Sequence, residues 1–199
     1  MFKILSLAIE VIPAGILATG VIFLLKGRVF KSLSRCVLGA VFAVYLLAVF
    51  SLTGIPSING LMLDVSVNLI PLAGITGDIK NAALNVLLFV PLGLLLPLLW
   101  REFRRFSRVT LSGLLLSLGI EILQVFTFRY TDVNDLLTNT IGAALGFLLA
   151  RIVLRGRENT FSGEGDAALE LTLLVALTFV VAFLIQPFIS GALWNLIYT

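Results

Sequence analysis

The chain has 199 residues, of which 59% are hydrophobic and only 13% are charged, and its formal net charge is +3. Soluble globular proteins carry about a quarter charged residues, so this composition predicts an integral membrane protein. No histidine is present and Cys36 is the only cysteine. This excludes Ser-His-Asp and Cys-His catalysis, intramolecular disulfides and histidine-based zinc sites. Nucleic-acid binding is not expected, because no basic face alternates with exposed aromatic residues.

Several apolar runs are long enough to cross a hydrocarbon core of ~30 Å as helices. They cover residues 4–25, 36–53, 81–100, 109–127, 134–153 and 169–189. Residues 54–80 break into turn residues and short apolar pieces, which indicates a loop on the membrane surface or folded back over the helices. The predicted fold is therefore all-α, a polytopic membrane bundle of about six transmembrane helices.

The distribution of basic residues predicts the orientation of these helices. Residues 26–35, 101–108 and 151–157 hold 11 of the 14 lysines and arginines, and six spans put all three segments on one side of the membrane. The positive-inside rule makes that side the cytoplasm, so both termini face outward. We predict a body of five helices at residues 1–154, a cytoplasmic linker at 155–168, and a sixth helix with a short outward tail at 169–199.

A set of polar residues lies within or next to the third, fourth and fifth predicted helices. We call it the polar cluster: Asn85, Glu121, Gln124, Arg129, Asp132, Asp135 and Asn139. The predicted topology puts Asn85, Glu121 and Asn139 at one depth, ~7–9 Å below the outer surface. An uncompensated polar group inside a membrane costs several kcal/mol. We therefore predict an outward-facing polar pocket within the bundle.

Each member of the polar cluster also has a purely structural interpretation. Asp132 resembles a helix N-cap with Asp135 in the first turn, where the helix dipole favours negative charge. Asn85 and Asn139 are suited to hydrogen bonds between helices. Close helix packing is predicted at four glycines: Gly113, Gly119, Gly142 and Gly146.

At these positions the sequence resembles the VanZ-like family of membrane proteins. The resemblance lies in the ordered runs from Asn85 to Gly93, from Glu121 to Gln124 and from Arg129 to Gly142, and it covers about residues 40–154. The run from Asn68 to Pro71 also looks like the segment that precedes the family's core. The resemblance implies a multi-pass protein of the bacterial cytoplasmic membrane, in a family whose founding member is associated with resistance to the glycopeptide teicoplanin.

Three functional hypotheses use the polar cluster differently. In the first, all seven residues bind the polar head of a cell-envelope lipid, precursor or lipoglycopeptide, with Arg129 on a phosphate or carboxylate. In the second, the protein is an enzyme in which Glu121, Asp132 and Asp135 supply acid–base chemistry or bind a divalent cation. In the third, the helices bind other membrane proteins and the cluster fixes their packing. We favour binding, with membrane lipids as partners and without a cofactor or resident metal.

Overall fold

The computed structural model describes residues 2–63, 67–68, 70, 79–127, 131–155 and 166–198. Within these residues, six helical segments are long and apolar enough to cross a membrane. This confirms the predicted all-α fold of a multi-pass membrane protein. The helices are α1 (Phe2–Leu24), α2 (Leu33–Thr53), α3 (Ile79–Leu99), α4 (Phe106–Gln124), α5 (Val133–Leu154), α6 (Ala167–Val180) and α7 (Gln186–Tyr198), with a 3-10 turn at Arg101–Phe103.

Two very short strands interrupt the helical pattern. Strand β1 (Val67–Asn68) pairs in parallel with β2 (Thr131–Asp132), and Asn68 lies opposite Asp132. Nearby, the Met62 N–H donates to the carbonyl of Phe126 at 3.1 Å. The predicted loop is thus attached to the segment that connects α4 to α5, although residues 64–66, 69 and 71–78 lie outside the described part of the chain.

The chain divides into two compact units, Met1–Leu61 with Glu164–Thr199 and Met62–Gly163. In the first unit α1 packs on α2, α2 on α6 and α1 on α7. In the second, α5 packs on both α3 and α4. The last helices therefore group with the first two, and the predicted division into a body at 1–154 and a separate sixth helix stays a prediction.

A buried ion pair joins α2 to α6 in the first unit. The side chains of Arg35 and Glu170 are 3% and 1% exposed, and the Arg35 Nη2 and Nε atoms lie 2.5 Å and 3.2 Å from Glu170 Oε2. Arg35 belongs to the basic segment 26–35, from which the membrane orientation is predicted. The structure adds a packing role, because two buried opposite charges stabilise each other only when they are in contact.

The C-terminal helical segment is longer than the predicted span at 169–189. It begins at Ala167, passes through one π turn at Val181–Ile185 and continues as α7 to Tyr198. Pro187 follows the π turn by two residues, and both proline and π turns are places where a helix departs from its regular hydrogen bonding. The predicted tail after residue 189 is consequently helical as far as Tyr198.

Glycines bring α3 and α5 into backbone contact. A Cβ atom on Gly142 would collide with the carbonyl oxygen of Val86, and one on Gly146 with that of Val90. A Cβ on Gly113 of α4 would lie 2.5 Å from that of Ala143. Close packing is thus confirmed at three of the four predicted glycines. The prediction is wrong for Gly119, where a Cβ would have no described atom within 4 Å.

Candidate ligand-binding site

The carboxylate of Glu121 attaches α4 to the start of α5. Glu121 is 6% exposed, and its Oε2 accepts a hydrogen bond from the backbone N–H of Asp132 at 3.1 Å. The Thr131 hydroxyl donates to the Glu121 carbonyl at 3.3 Å. Because helix N-termini carry a partial positive charge, this position favours an acceptor such as a carboxylate.

Asp132 caps helix α5. Its Oδ1 accepts from the Asn134 N–H at 2.9 Å and from Asn68 Nδ2 at 3.2 Å, and Asp135 follows in the first turn. The predicted capping arrangement is confirmed. The contact from Asn68 adds a partner from β1, so one carboxylate links the loop before α3 to the start of α5.

About two helical turns further along α5, Asn139 makes a hydrogen bond between helices. Its Nδ2 donates to Ser117 Oγ on α4 at 2.8 Å, and both residues are buried. This confirms the interhelical bond predicted for Asn139. The Oδ1 atom of Asn139 is also buried, and no hydrogen-bond partner for it exists among the described residues. Such an atom is costly in an apolar interior, and a donor from a bound molecule would lower the cost.

The other members of the polar cluster occupy different positions. Gln124 is buried at the end of α4. Its backbone carbonyl accepts hydrogen bonds from both the N–H and the hydroxyl of Thr127, each at 2.9 Å. Asp135 is half-buried. Arg129 lies outside the described residues, so the structure does not place its guanidinium.

Asn85 is half-buried on α3. The contact between Val86 and Gly142 sets the register of α3 against α5. In that register Asn85 lies opposite Ile141, two residues beyond Asn139, which is a difference of ~3 Å along the helix axis. In the described part of the chain, no hydrogen bond joins Asn85 to Glu121, Asp132 or Asn139. The structure therefore links Glu121 to Asp132, and Asn139 to Ser117, across α4 and α5, with Asn85 at a similar level on α3.

Sequence reasoning missed three residues that complete these contacts: Ser117, Asn68 and Thr131. Ser117 lies four residues before Glu121, so its helical spacing placed it on the same face. Asn68 lay within a run that resembles the family's segment before the core, yet it was not assigned to the polar cluster. Thr131 carried no separate signal.

The resulting layer between α4 and α5 is rich in acceptors. The Glu121 carboxylate and Asn139 Oδ1 are buried, and the Asp132 carboxylate is half-buried. Hydroxyl and amine groups are the natural complements of such acceptors. Among the described residues, no three acids, cysteines or histidines are grouped closely enough to hold a metal ion.

Comparison with known proteins identifies the family. The sequence model of VanZ/LLP1 matches residues 42–154, more than half of the chain. The chain belongs to the VanZ/LLP1 family. The matched VanZ/LLP1 region contains every member of the polar cluster.

One curated relative carries the same family name. Protein VanZ of Enterococcus faecium is 39% identical over 85 residues, which are 42% of this chain and 52% of that protein. The similarity therefore spans about half the length of this relative. No solved structure gives a significant match to the chain.

Proposed function

We propose that the polar cluster binds the polar head of a cell-envelope lipid, lipid-linked precursor or lipoglycopeptide at the outer side of the bacterial cytoplasmic membrane. One observation carries this proposal: a buried carboxylate, Glu121, lies in the same α4–α5 layer as a buried amide oxygen that has no partner among the described residues. Polar groups inside a membrane protein commonly mark a ligand or ion pathway.

The chemistry of the layer favours a hydroxyl- or amine-bearing head. One oxygen of Glu121 accepts from the Asp132 N–H, and Asn139 donates from its Nδ2 to Ser117. The other Glu121 oxygen and Asn139 Oδ1 are then the acceptors that would bind such a head. Arg129, in the segment that connects α4 to β2, adds a guanidinium for a phosphate or carboxylate. Sugars and peptides linked to lipid carriers combine hydroxyl or amine groups with a phosphate or carboxylate.

Family membership extends the proposal to antibiotic resistance. The matched relative is named Protein VanZ, and the sequence resemblance implied a link with teicoplanin. A protein that holds a lipid-linked head or a lipoglycopeptide in the membrane changes how much antibiotic reaches its target. We propose that this chain contributes to glycopeptide resistance by that route.

The variants Glu121→Gln and Arg129→Ala test the role of the polar cluster. Glu121→Gln preserves size and keeps an acceptor oxygen but removes the negative charge. We expect each variant to abolish the protection that the wild-type chain gives expressing cells against teicoplanin. The measurement is growth inhibition across antibiotic concentrations, with protein level and membrane insertion checked in the same cells.

The matched control is Glu10→Gln, which removes another carboxylate of the membrane helices. Glu10 lies on α1 in the other unit, where the hydroxyls of Ser6 and Ser51 donate to it. We expect this control to retain protection. Full protection in both Glu121→Gln and Arg129→Ala would contradict the proposal and favour a scaffold whose helices act through their lipid-facing surfaces.

A further inference from the structure

A second polar feature lies in the unit Met62–Gly163, away from the polar cluster. A cavity of about 700 Å³ opens beside the C-terminal turns of α3 and α5. Its volume falls within the ~300–1,000 Å³ usual for ligand sites. Arg104, Arg151 and Arg155 line the cavity, and no acid is among its lining residues in the described part of the chain.

The three guanidinium groups carry more positive charge than the nearby helix C-termini can compensate. Arg104 Nε donates to the carbonyl of Pro97 at 3.4 Å, which satisfies one orphan acceptor at the end of α3. The C-termini of α3 and α5 together carry only about one negative charge, so three cations leave a clear positive excess. In the described part of the chain, none of the three forms an ion pair with an acid.

Arg104 provides the most specific indication of a ligand. Its Nη2 atom is buried and has no hydrogen-bond partner among the described residues. A buried donor of this kind costs free energy until an acceptor reaches it. A guanidinium presents a planar fork of N–H groups that matches the oxygens of a phosphate.

The remaining walls of the cavity are apolar. Phe147 is buried, whereas Leu148 and Ile152 are 48% and 70% exposed, as expected of aliphatic side chains on the outside of a membrane helix. A site that combines cations with exposed aliphatic groups matches an amphiphile, with its anionic head near the arginines. Free phosphate would use only the cationic part.

We propose that this cavity binds a phosphate group through Arg104, Arg151 and Arg155, and that an anionic phospholipid headgroup supplies it. The site is independent of the polar cluster and of its proposed ligand. The predicted topology places these arginines on the cytoplasmic side, where anionic lipid headgroups are available.

The test is native mass spectrometry of the detergent-extracted full-length chain. Three probes are titrated separately: dioctanoyl phosphatidylglycerol, dioctanoyl phosphatidylcholine and inorganic phosphate. We expect phosphatidylglycerol to bind most tightly, because it offers the phosphate, a net negative charge and acyl chains. Saturable binding of inorganic phosphate with no preference for phosphatidylglycerol would support the anion site and identify free phosphate as its source.

Variants assign the binding to the cavity. Arg104→Gln combined with Arg151→Gln should weaken phosphatidylglycerol binding about tenfold or more, since charge-assisted hydrogen bonds are lost. Arg151→Gln with Arg155→Gln should act similarly. Both of those residues are exposed, so this second pair tests the site even if loss of Arg104 disturbs folding.

The control removes the same charge elsewhere. Arg28 and Arg105 are exposed and are not among the residues that line the cavity. The double variant Arg28→Gln with Arg105→Gln should therefore bind phosphatidylglycerol within about twofold of the wild-type affinity. Equal loss in the control, or wild-type affinity in both cavity variants, would overturn the proposal. Those results would assign the arginines to topology and helix capping alone.

Discussion

The hydrogen bond between Asn139 and Ser117 gives the polar cluster its sharpest test at the scale of single residues. Ser117→Ala removes the acceptor of the Asn139 amide in a buried contact between α4 and α5. We expect the free energy of unfolding to fall by about 1 kcal/mol, within the range measured for such bonds in membrane proteins. The measurement is reversible unfolding in detergent micelles.

Ser112→Ala is the matched control for that variant. Ser112 lies on the same helix, and its hydroxyl donates to the carbonyl of Arg108 on α4 itself. Its loss removes no contact between helices, so we expect little change in stability. If both substitutions cost the same free energy, the Asn139–Ser117 bond does not stabilise the packing of α4 against α5.

At the same scale, sequence reasoning found the acids and amides but only part of their contacts. Glu121 and Asn139 were conspicuous because polar side chains are costly within apolar runs. Ser117 was not conspicuous, because a serine hydroxyl in a membrane helix can donate to its own helix, as that of Ser112 does. Only the packing of α4 against α5 distinguishes the two serines.

At the scale of elements, the close contact between α3 and α5 depends on glycines, which have no side chain to hold the two backbones apart. We expect Gly142→Ala and Gly146→Ala each to lower the free energy of unfolding by about 1–3 kcal/mol, because a methyl group would press on the backbone of α3. Gly119→Ala is the control, since a Cβ there meets no described atom within 4 Å. It should be neutral or slightly stabilising, because alanine favours helix more than glycine does.

The helices themselves followed directly from the hydrophobic runs, because length and apolarity define a membrane span. Two features did not follow. The β1–β2 pairing joins residues 67–68 to residues 131–132, and two-residue strands leave no periodic pattern. The helix also continues beyond the predicted end at residue 189 as far as Tyr198, after a π turn at Val181–Ile185 and a proline, which are features that commonly kink a helix.

At the scale of the whole chain, the Arg35–Glu170 pair connects segments 135 positions apart in sequence. Glu170→Gln removes the charge that compensates the buried Arg35 guanidinium, so we expect a loss of about 3–5 kcal/mol in the free energy of unfolding. Arg35→Met combined with Glu170→Leu should recover most of that loss, because it removes both buried charges. A double variant no more stable than Glu170→Gln would show that size and packing, rather than charge, matter at this contact.

Membrane orientation is the property of the whole chain that its basic segments predict most directly, and the single cysteine makes it simple to test. In a Cys36→Ala background, we expect Asn59→Cys to react with a membrane-impermeant maleimide in intact cells. Ser107→Cys should react only after permeabilisation, because it lies in the basic segment that the positive-inside rule retains in the cytoplasm. Both positions are exposed and neutral, so neither substitution alters the charge pattern. The reverse labelling pattern would place the polar cluster toward the cytoplasm and the arginine cavity outside, which would contradict both proposed ligands at once.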